Sequence, residues 1–150
     1  MSWHDYLFGF ADHAKAKSKD STQVGAALVT DRKAVILTGY NGPPMGVRDT
    51  PERRERPAKY LFASHAEANL ISFAARNGIK TEGCRVFTTH RSCATCARTL
   101  IQAGICEVIY GDGTTSMPEA EFEAAEIMFR EAGVVVRSLR SFDAPSETEG

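Results

Sequence analysis

The sequence predicts an α/β protein with three layers, in which helices cover both faces of a central five-stranded mixed sheet. The apolar pattern predicts the element order α-β-β-α-β-α-β-α-β along a chain of 150 residues. Strands that alternate with helices after an opening hairpin indicate that the later strands are parallel and buried on both faces. The length and a hydrophobic content of 43% fit one domain, which we expect over residues 1–142, followed by a disordered tail over 143–150.

The first part of the chain predicts a helix, a hairpin and a long loop. Apolar side chains recur at three-and-four spacing over residues 3–19, as in an amphipathic helix. Two β-rich runs, at 24–30 and 34–38, are separated by a short polar turn, which is typical of a hairpin. Residues 45–60 carry five basic and three acidic side chains, and their prolines argue against a helix. We expect a functional loop there, because long structureless segments are uncommon in small domains.

The second part alternates helices with strands. Ser64 as N-cap, with Glu67 three residues later, predicts a capping box at the start of a helix over 65–76. A strand at 85–89 follows. The remaining predicted elements are a helix over 93–103, a strand at 106–110, a helix over 118–132 and a strand at 134–137.

Charge and hydropathy exclude several functional classes. The chain has 18 Lys and Arg against 19 Asp and Glu, so no surface for a polynucleotide is expected. No apolar run reaches the length of a spanning helix, and acidic residues and histidines interrupt the N-terminal segment. We therefore expect no membrane partner, no signal peptide and a cytoplasmic location. In that setting the four cysteines are thiols or metal ligands rather than disulfides.

Two short motifs predict a metal site. Cys93 and Cys96 lie three residues apart where a strand gives way to a helix, so both thiols can hold one ion. Alone, this spacing fits a reducible dithiol or two core cysteines equally well. His65 and Glu67 add an imidazole and a carboxylate at another helix start, and two such starts can meet outside the carboxyl ends of strands. Two thiolates and one imidazole leave the fourth zinc position open, which is the catalytic pattern, and Glu67 is then a general base.

The other cysteines and histidines predict no second metal site. Cys84 and Cys106 stand singly at the starts of apolar strands, where a free cysteine is commonly a small buried residue. His4, His13 and His90 have no partner at metal spacing. We expect these histidines to lie at the surface or to form structural hydrogen bonds.

Longer blocks around these motifs resemble one enzyme family. The blocks are SKDSTQVGA at 18–26, GYNGPPMG at 39–46, KYLFASHAEAN at 59–69 and QAGICEVIY at 102–110. Together with H-x-E and C-x-x-C, they make nearly the whole chain similar to the deoxycytidylate (dCMP) deaminases of the cytidine deaminase superfamily. The resemblance implies a cytidine deaminase-like fold and one catalytic Zn²⁺ per chain, bound by His65, Cys93 and Cys96.

The same resemblance implies roles for further residues. Zinc-bound hydroxide would attack C4 of the cytosine, and Glu67 would carry a proton to N3 and then to the leaving amine. The backbone amide of Ala66 is expected to hold the base carbonyl. Asn41 stands at the position of the family's GYNG asparagine and is expected to contact the sugar.

Two departures from the family pattern bear on the substrate. Ser92, preceded by Arg91, replaces the usual proline before the first cysteine, so we expect a hydroxyl and a positive charge near the substrate. After Tyr110, relatives commonly carry a tyrosine and a basic residue near the 5′-phosphate, whereas this chain reads GDGTTS at 111–116. The phosphate would then be met by the arginines of loop 45–60, by Lys17 or Lys19, by Arg91, or by the hydroxyls of Thr114 and Thr115.

The expected activity is hydrolytic deamination of dCMP to dUMP and ammonia. Deamination of another small aminated nucleoside, nucleotide or base is the first alternative, and a noncatalytic zinc-binding module is the second. Editing of tRNA adenosine is disfavoured by the near-neutral charge. Glu67 favours an enzyme, because a structural zinc site needs no neighbouring carboxylate and keeps no open position. The resemblance also implies a homo-oligomer such as a hexamer, with dCTP as activator and dTTP as inhibitor, and allows Mg²⁺ to accompany a nucleotide effector.

Overall fold

The centre of the fold is one five-stranded sheet, seen in a computed structural model that describes residues 1–143. The tail predicted over 143–150 lies outside the described residues except for Asp143. The strands follow the order β2-β1-β3-β4-β5, and they are β1 (Gly25–Val29), β2 (Val35–Tyr40), β3 (Arg85–His90), β4 (Glu107–Gly113) and β5 (Val135–Ser138). β1 is antiparallel to β2 and β3, whereas β4 is parallel to β3 and β5. The predicted mixed sheet with parallel later strands is confirmed.

Helices cover both faces of this sheet. One face carries α1 (Trp3–Lys15), and the other carries α3 (Ala66–Arg76), α4 (Ala94–Gln102) and α5 (Glu119–Glu131). Successive strand residues point to opposite faces, so strands β1 to β4 contribute to both cores, whereas β5 contributes Val136 to the core under α3, α4 and α5. Buried side chains on the α1 side are Leu7, Ala11, Ala27, Val29, Phe87 and Ile109. Those on the other side include Leu28, Leu70, Val86, Leu100, Val108 and Phe129. The predicted three-layer architecture is confirmed.

Within residues 1–143, none of the helices combines the length and the apolar character needed to cross a bilayer. The longest, α1 and α5, have 13 residues each. A spanning helix needs about 20.

Loop 45–60 contains more helix than its prolines predict. Pro51–Arg54 forms a 3-10 helix, and α2 (Lys59–Phe62) follows it. A proline at the start of a helix costs no hydrogen bond, because the first N–H groups have no partner within the helix. Thr50 caps the 3-10 helix by accepting a hydrogen bond of 3.4 Å from the N–H of Arg53. The prediction that proline excludes helix here was therefore wrong, since Pro51 begins one.

The start of α3 also differs from the predicted capping box. His65 rather than Ser64 is the N-cap residue, and no side chain caps the helix. Ser64 instead pairs with Gly42 through two backbone hydrogen bonds of 2.8 and 3.0 Å. This bridge holds the chain before α3 against the end of β2. The side chain of Glu67 hydrogen-bonds elsewhere, as described below.

Gly39 in β2 allows α3 to pack closely on the sheet. A Cβ atom at this position would lie 3.0 Å from the carbonyl oxygen of Ala66 and 3.3 Å from Cα of Leu70. Both contacts are with backbone, which cannot move aside without shifting the helix. The glycine therefore sets how near the first turn of α3 lies to β2.

Candidate active site

The starts of α3 and α4 bring the three predicted metal ligands together. His65 and Cys93 are the N-cap residues of these two helices, and Cys96 lies in the first turn of α4. Nδ1 of His65 lies 3.4 Å from Sγ of Cys93 and 3.3 Å from Sγ of Cys96. All three ligand atoms lie within 4.8 Å of one another. The predicted meeting of two helix starts is thus observed.

The spacing of these atoms fits a tetrahedral zinc ion. At the tetrahedral angle, bonds of about 2.0 Å to nitrogen and about 2.3 Å to sulfur place the nitrogen about 3.5 Å from each sulfur. The observed separations of 3.4 and 3.3 Å are close to this value. Among residues 1–143 this is the one group of three or more His, Cys, Asp or Glu side chains whose ligand atoms lie close enough together to hold an ion.

The two thiols of this group have different proton affinities. The pKa of Cys93 is lowered to about 4, because Cys96 and then His65 hydrogen-bond its thiolate. The pKa of Cys96 is raised by the same hydrogen bond and by burial. The pKa of His65 is also raised, chiefly through its hydrogen bond to Cys93. The site therefore keeps a thiolate at neutral pH, and thiolate is the form that binds metal.

Glu67 lies buried beside the ligands and is held by Ser92. Glu67 is only 3% exposed, and Oγ of Ser92 donates a hydrogen bond of 2.8 Å to its Oε2. Burial raises the pKa of Glu67, while the hydrogen bond from Ser92 opposes this shift. The predicted contact of Ser92 with substrate stays a prediction, and in the structure its hydroxyl proton is donated to this carboxylate.

One cavity opens next to these groups, and Ala66 and Asn41 form part of its wall. Ala66 is the first residue of α3, so its N–H has no partner within the helix. The Asn41 side chain accepts a hydrogen bond of 2.9 Å from the N–H of Val24 and donates one of 2.8 Å to the carbonyl of Thr22. Among residues 1–143, one N–H of the Asn41 amide remains for another partner.

Arg91 lines the same cavity, but its charge is paired with α5. Its guanidinium lies 2.9 Å from the carboxylate of Glu126 and 3.4 Å from that of Glu119. It also stacks over Phe122, 4.8 Å from the ring centre. Much of the positive charge that the sequence predicts near the substrate is therefore offset by α5.

The remaining cysteines and His90 lie partly as predicted. Cys84 is buried, whereas Cys106 is exposed and its thiol donates to the carbonyl of Gly83 over 3.3 Å. The prediction of burial was wrong for Cys106, because the residue lies before β4 rather than in the strand.

His90 is buried at the cavity wall, with Nδ1 2.7 Å from Oγ1 of Thr89, which fits the predicted structural hydrogen bond.

The cavity wall contains a buried ion pair that the sequence motifs do not predict. Nζ of Lys59 lies 3.0 Å from Oδ1 of Asp20, and the two side chains are 10% and 7% exposed. The same carboxylate oxygen accepts a hydrogen bond of 2.9 Å from the N–H of Thr22. The two partners lie 39 residues apart, so no local pattern connects them. The pair ties α2 to the segment before β1.

Replacing Lys59 with Met is expected to lower the free energy of unfolding by about 3 kcal/mol, because Asp20 would remain buried without its partner. Urea denaturation measures this change. Lys15→Met is the matched control, since Lys15 forms an exposed ion pair with Asp12 that contributes under about 1 kcal/mol. Equal stability of the two variants would contradict the importance of the buried pair.

A family model matches residues 1–112 and is described as the cytidine and deoxycytidylate deaminase zinc-binding region. The matched segment includes both helix starts that carry the candidate ligands. The chain belongs to the cytidine and deoxycytidylate deaminase family. The resemblance inferred from the sequence motifs is thereby confirmed.

Two relatives extend the likeness of this deaminase beyond the zinc-binding region. An uncharacterized deaminase in the luxG 3′ region of Aliivibrio fischeri is 38% identical over 141 residues, which cover 91% of this chain and 93% of the relative. The deoxycytidylate deaminase of Mus musculus is 36% identical over 146 residues, which cover 93% of this chain and 80% of the relative. Both alignments extend over nearly the whole chain.

A solved structure shows the same fold. The dCMP deaminase of cyanophage S-TIM5, in complex with dCMP and dUMP, superposes with a TM-score of 0.73. The match covers 89% of this chain and 94% of the other, at 23% identity. The predicted cytidine deaminase-like fold is confirmed.

Proposed function

We propose that this deaminase converts dCMP and water to dUMP and ammonia, with one zinc ion bound by His65, Cys93 and Cys96. The observation that carries the proposal is the buried carboxylate of Glu67 beside a set of three metal ligands. A noncatalytic zinc module would use four protein ligands and no such carboxylate. The deoxycytidylate deaminase of mouse, 36% identical to this chain, supports dCMP as the substrate.

The side chains of the site supply the proton transfers. When bound, zinc supplies Lewis-acid activation of a water molecule. Glu67 takes one proton from the attacking water and passes it to N3 of the cytosine ring, and it then takes the second proton from the same oxygen, now bonded to C4, and gives it to the amine that leaves C4. The water oxygen becomes the C4 carbonyl oxygen of uracil, and the amine leaves as ammonia. Ser92 holds the carboxylate through Oε2 and so orients it for both transfers.

Two groups on the cavity wall orient the nucleotide. The N–H of Ala66 donates to the base carbonyl, because a first-turn amide has no competing partner within the helix. The free amide proton of Asn41 is directed to the sugar, while its other hydrogen bonds hold the side chain in place. Assembly into a homo-oligomer and regulation by dCTP and dTTP remain predictions from the resemblance.

Ammonia release from a panel of dCMP, CMP, deoxycytidine, cytosine and dAMP, with zinc measured on the same sample, tests this function. We expect about one zinc per chain and a kcat/KM for dCMP at least about tenfold above that for any other compound. Faster turnover of deoxycytidine would contradict the nucleotide as substrate. Bound zinc with no turnover of any compound would favour the noncatalytic module.

A further inference from the structure

The cavity contains one cationic side chain that has no acidic partner among residues 1–143. Three Lys or Arg side chains line the cavity, namely Arg56, Lys59 and Arg91. Lys59 is paired with a buried aspartate, and Arg91 is paired with two glutamates of α5. Arg56 takes part in none of the ion pairs formed in the described part of the chain. Its charge is thus available to an anion in the cavity.

Arg56 is held by hydroxyl groups from two sides of the cavity. Its Nε–H donates to the hydroxyl of Tyr60 over 2.6 Å, and its Nη2 donates to Oγ of Ser116 over 3.4 Å. Tyr60 belongs to α2, whereas Ser116 lies between β4 and α5. A guanidinium has five N–H groups. Both protons on Nη1 and one on Nη2 therefore remain without a protein partner among the described residues.

The hydroxyl groups around Arg56 can donate to an anion as well. Tyr60, Thr115 and Ser116 all line the cavity. The Tyr60 and Ser116 oxygens accept from Arg56, and Oγ1 of Thr115 accepts from the N–H of Met117 over 3.2 Å. Because each hydroxyl then still has its own proton, the cluster offers several donors and one full positive charge.

The other basic residues considered for the phosphate lie elsewhere. In loop 45–60, Arg54 is paired with Asp49 and Arg53 stacks over the ring of Phe62. Neither of these arginines lines the cavity, and Lys17, Lys19 and Arg48 do not line it either. Among the basic residues considered for the phosphate, Arg56 is the one that lines the cavity and has no ion-pair partner in the described part of the chain.

We propose that Arg56, together with the hydroxyls of Tyr60 and Ser116, binds the 5′-phosphate of the substrate and selects nucleotides over nucleosides. The inference rests on the proposed function, because it places the phosphate of that substrate. Arginine binds phosphate through paired, charge-assisted hydrogen bonds, which match the free protons on Nη1 and Nη2. His65 and Glu67 line the same cavity as Arg56, so the proposal places the base and the phosphate of one nucleotide in a single cavity.

Binding of the product dUMP and of its nucleoside, deoxyuridine, tests this site without any need for turnover. Calorimetry compares dUMP with deoxyuridine, which differ only in the phosphate. We expect the wild-type protein to bind dUMP about 100-fold more tightly, and Arg56→Gln to reduce this ratio to under about tenfold. Arg56→Lys should restore part of the ratio, because an ammonium keeps the charge but loses the paired hydrogen bonds. Tyr60→Phe, which removes only a hydroxyl, should lower the ratio about threefold.

Arg48→Gln is the matched control, since Arg48 belongs to the same loop, is exposed and lies outside the cavity lining. It should keep the wild-type ratio. A ratio that is unchanged in Arg56→Gln, or that falls equally in Arg48→Gln, would overturn the phosphate site while leaving the deamination of dCMP intact. If the wild-type protein binds dUMP preferentially and Arg56→Gln loses this preference, the phosphate site is supported whether or not dCMP is turned over. Absence of dCMP turnover in that case would contradict the proposed function and leave the phosphate site standing.

Discussion

Replacing Glu67 with Gln is expected to lower kcat for dCMP by about 10³-fold to 10⁴-fold while zinc content stays at about one per chain. The amide cannot take protons from the attacking oxygen and pass one to N3 and one to the leaving amine. Glutamine nevertheless keeps the shape of glutamate, and its carbonyl oxygen can still accept the hydrogen bond from Ser92. The loss therefore reports the proton transfers rather than a collapse of the site.

Glu123→Gln is the matched control for this experiment. Glu123 lies exposed on α5, so the same chemical change should leave kcat and zinc content unaltered. Steady-state ammonia release and metal analysis on both variants decide the outcome. A Glu67→Gln protein that keeps more than about a tenth of the wild-type kcat would remove Glu67 from the mechanism. One that lost its zinc would make Glu67 part of the metal site instead.

The position of the metal site could be predicted from the sequence because its determinants are local. Cys93 and Cys96 share one helical turn, and His65 stands at another helix start. The mixed topology then brings both helix starts to the same edge of the sheet. Only two rules were needed, the spacing within a helical turn and the direction of parallel strands. Both act without knowledge of side-chain packing.

Contacts between distant segments could not be predicted in this way. Ser92 reaches Glu67 across 25 residues, Lys59 reaches Asp20 across 39, and Arg56 reaches Ser116 across 60. Each depends on how two loops or helices are placed relative to each other, and no periodic pattern encodes this. The one local prediction that failed at the site, the capping box, failed for the same reason. Ser64 bonds to Gly42, and Glu67 bonds to Ser92.

One of these long-range contacts gives a structural role to Ser92, which stands where the family usually has proline. A proline at position 92 would carry no hydroxyl, so it could not hold Oε2 of Glu67. Ser92 is buried, and its hydroxyl donates to the carboxylate of Glu67. The serine thus adds an orienting hydrogen bond to the residue that we propose as the proton carrier.

Cys96→Ser is expected to lose both bound zinc and deaminase activity. Removing one of three protein ligands should weaken zinc binding by at least about 100-fold, since changes to groups outside the ligand set already cost 10-fold to 100-fold. Thermal unfolding with and without added zinc gives a measurement independent of activity. Zinc should raise the Tm of the metal-free wild-type protein, because a ligand that binds only the folded state stabilises it. The shift should be absent in Cys96→Ser.

Cys106→Ser separates this effect from a general loss of thiols. Cys106 is exposed and lies outside the ligand group, so its replacement should leave the zinc content and the zinc-dependent rise in Tm as in the wild type. If Cys96→Ser kept the rise in Tm, the ion would be bound elsewhere. If both variants lost it, zinc would act on the protein without a specific three-ligand site. A zinc-dependent rise in Tm that is lost in Cys96→Ser and kept in Cys106→Ser is the result that agrees with an ion held between the starts of α3 and α4. Of the two thiols, Cys96 lies within 4.8 Å of both other ligand atoms, whereas Cys106 is outside the ligand group.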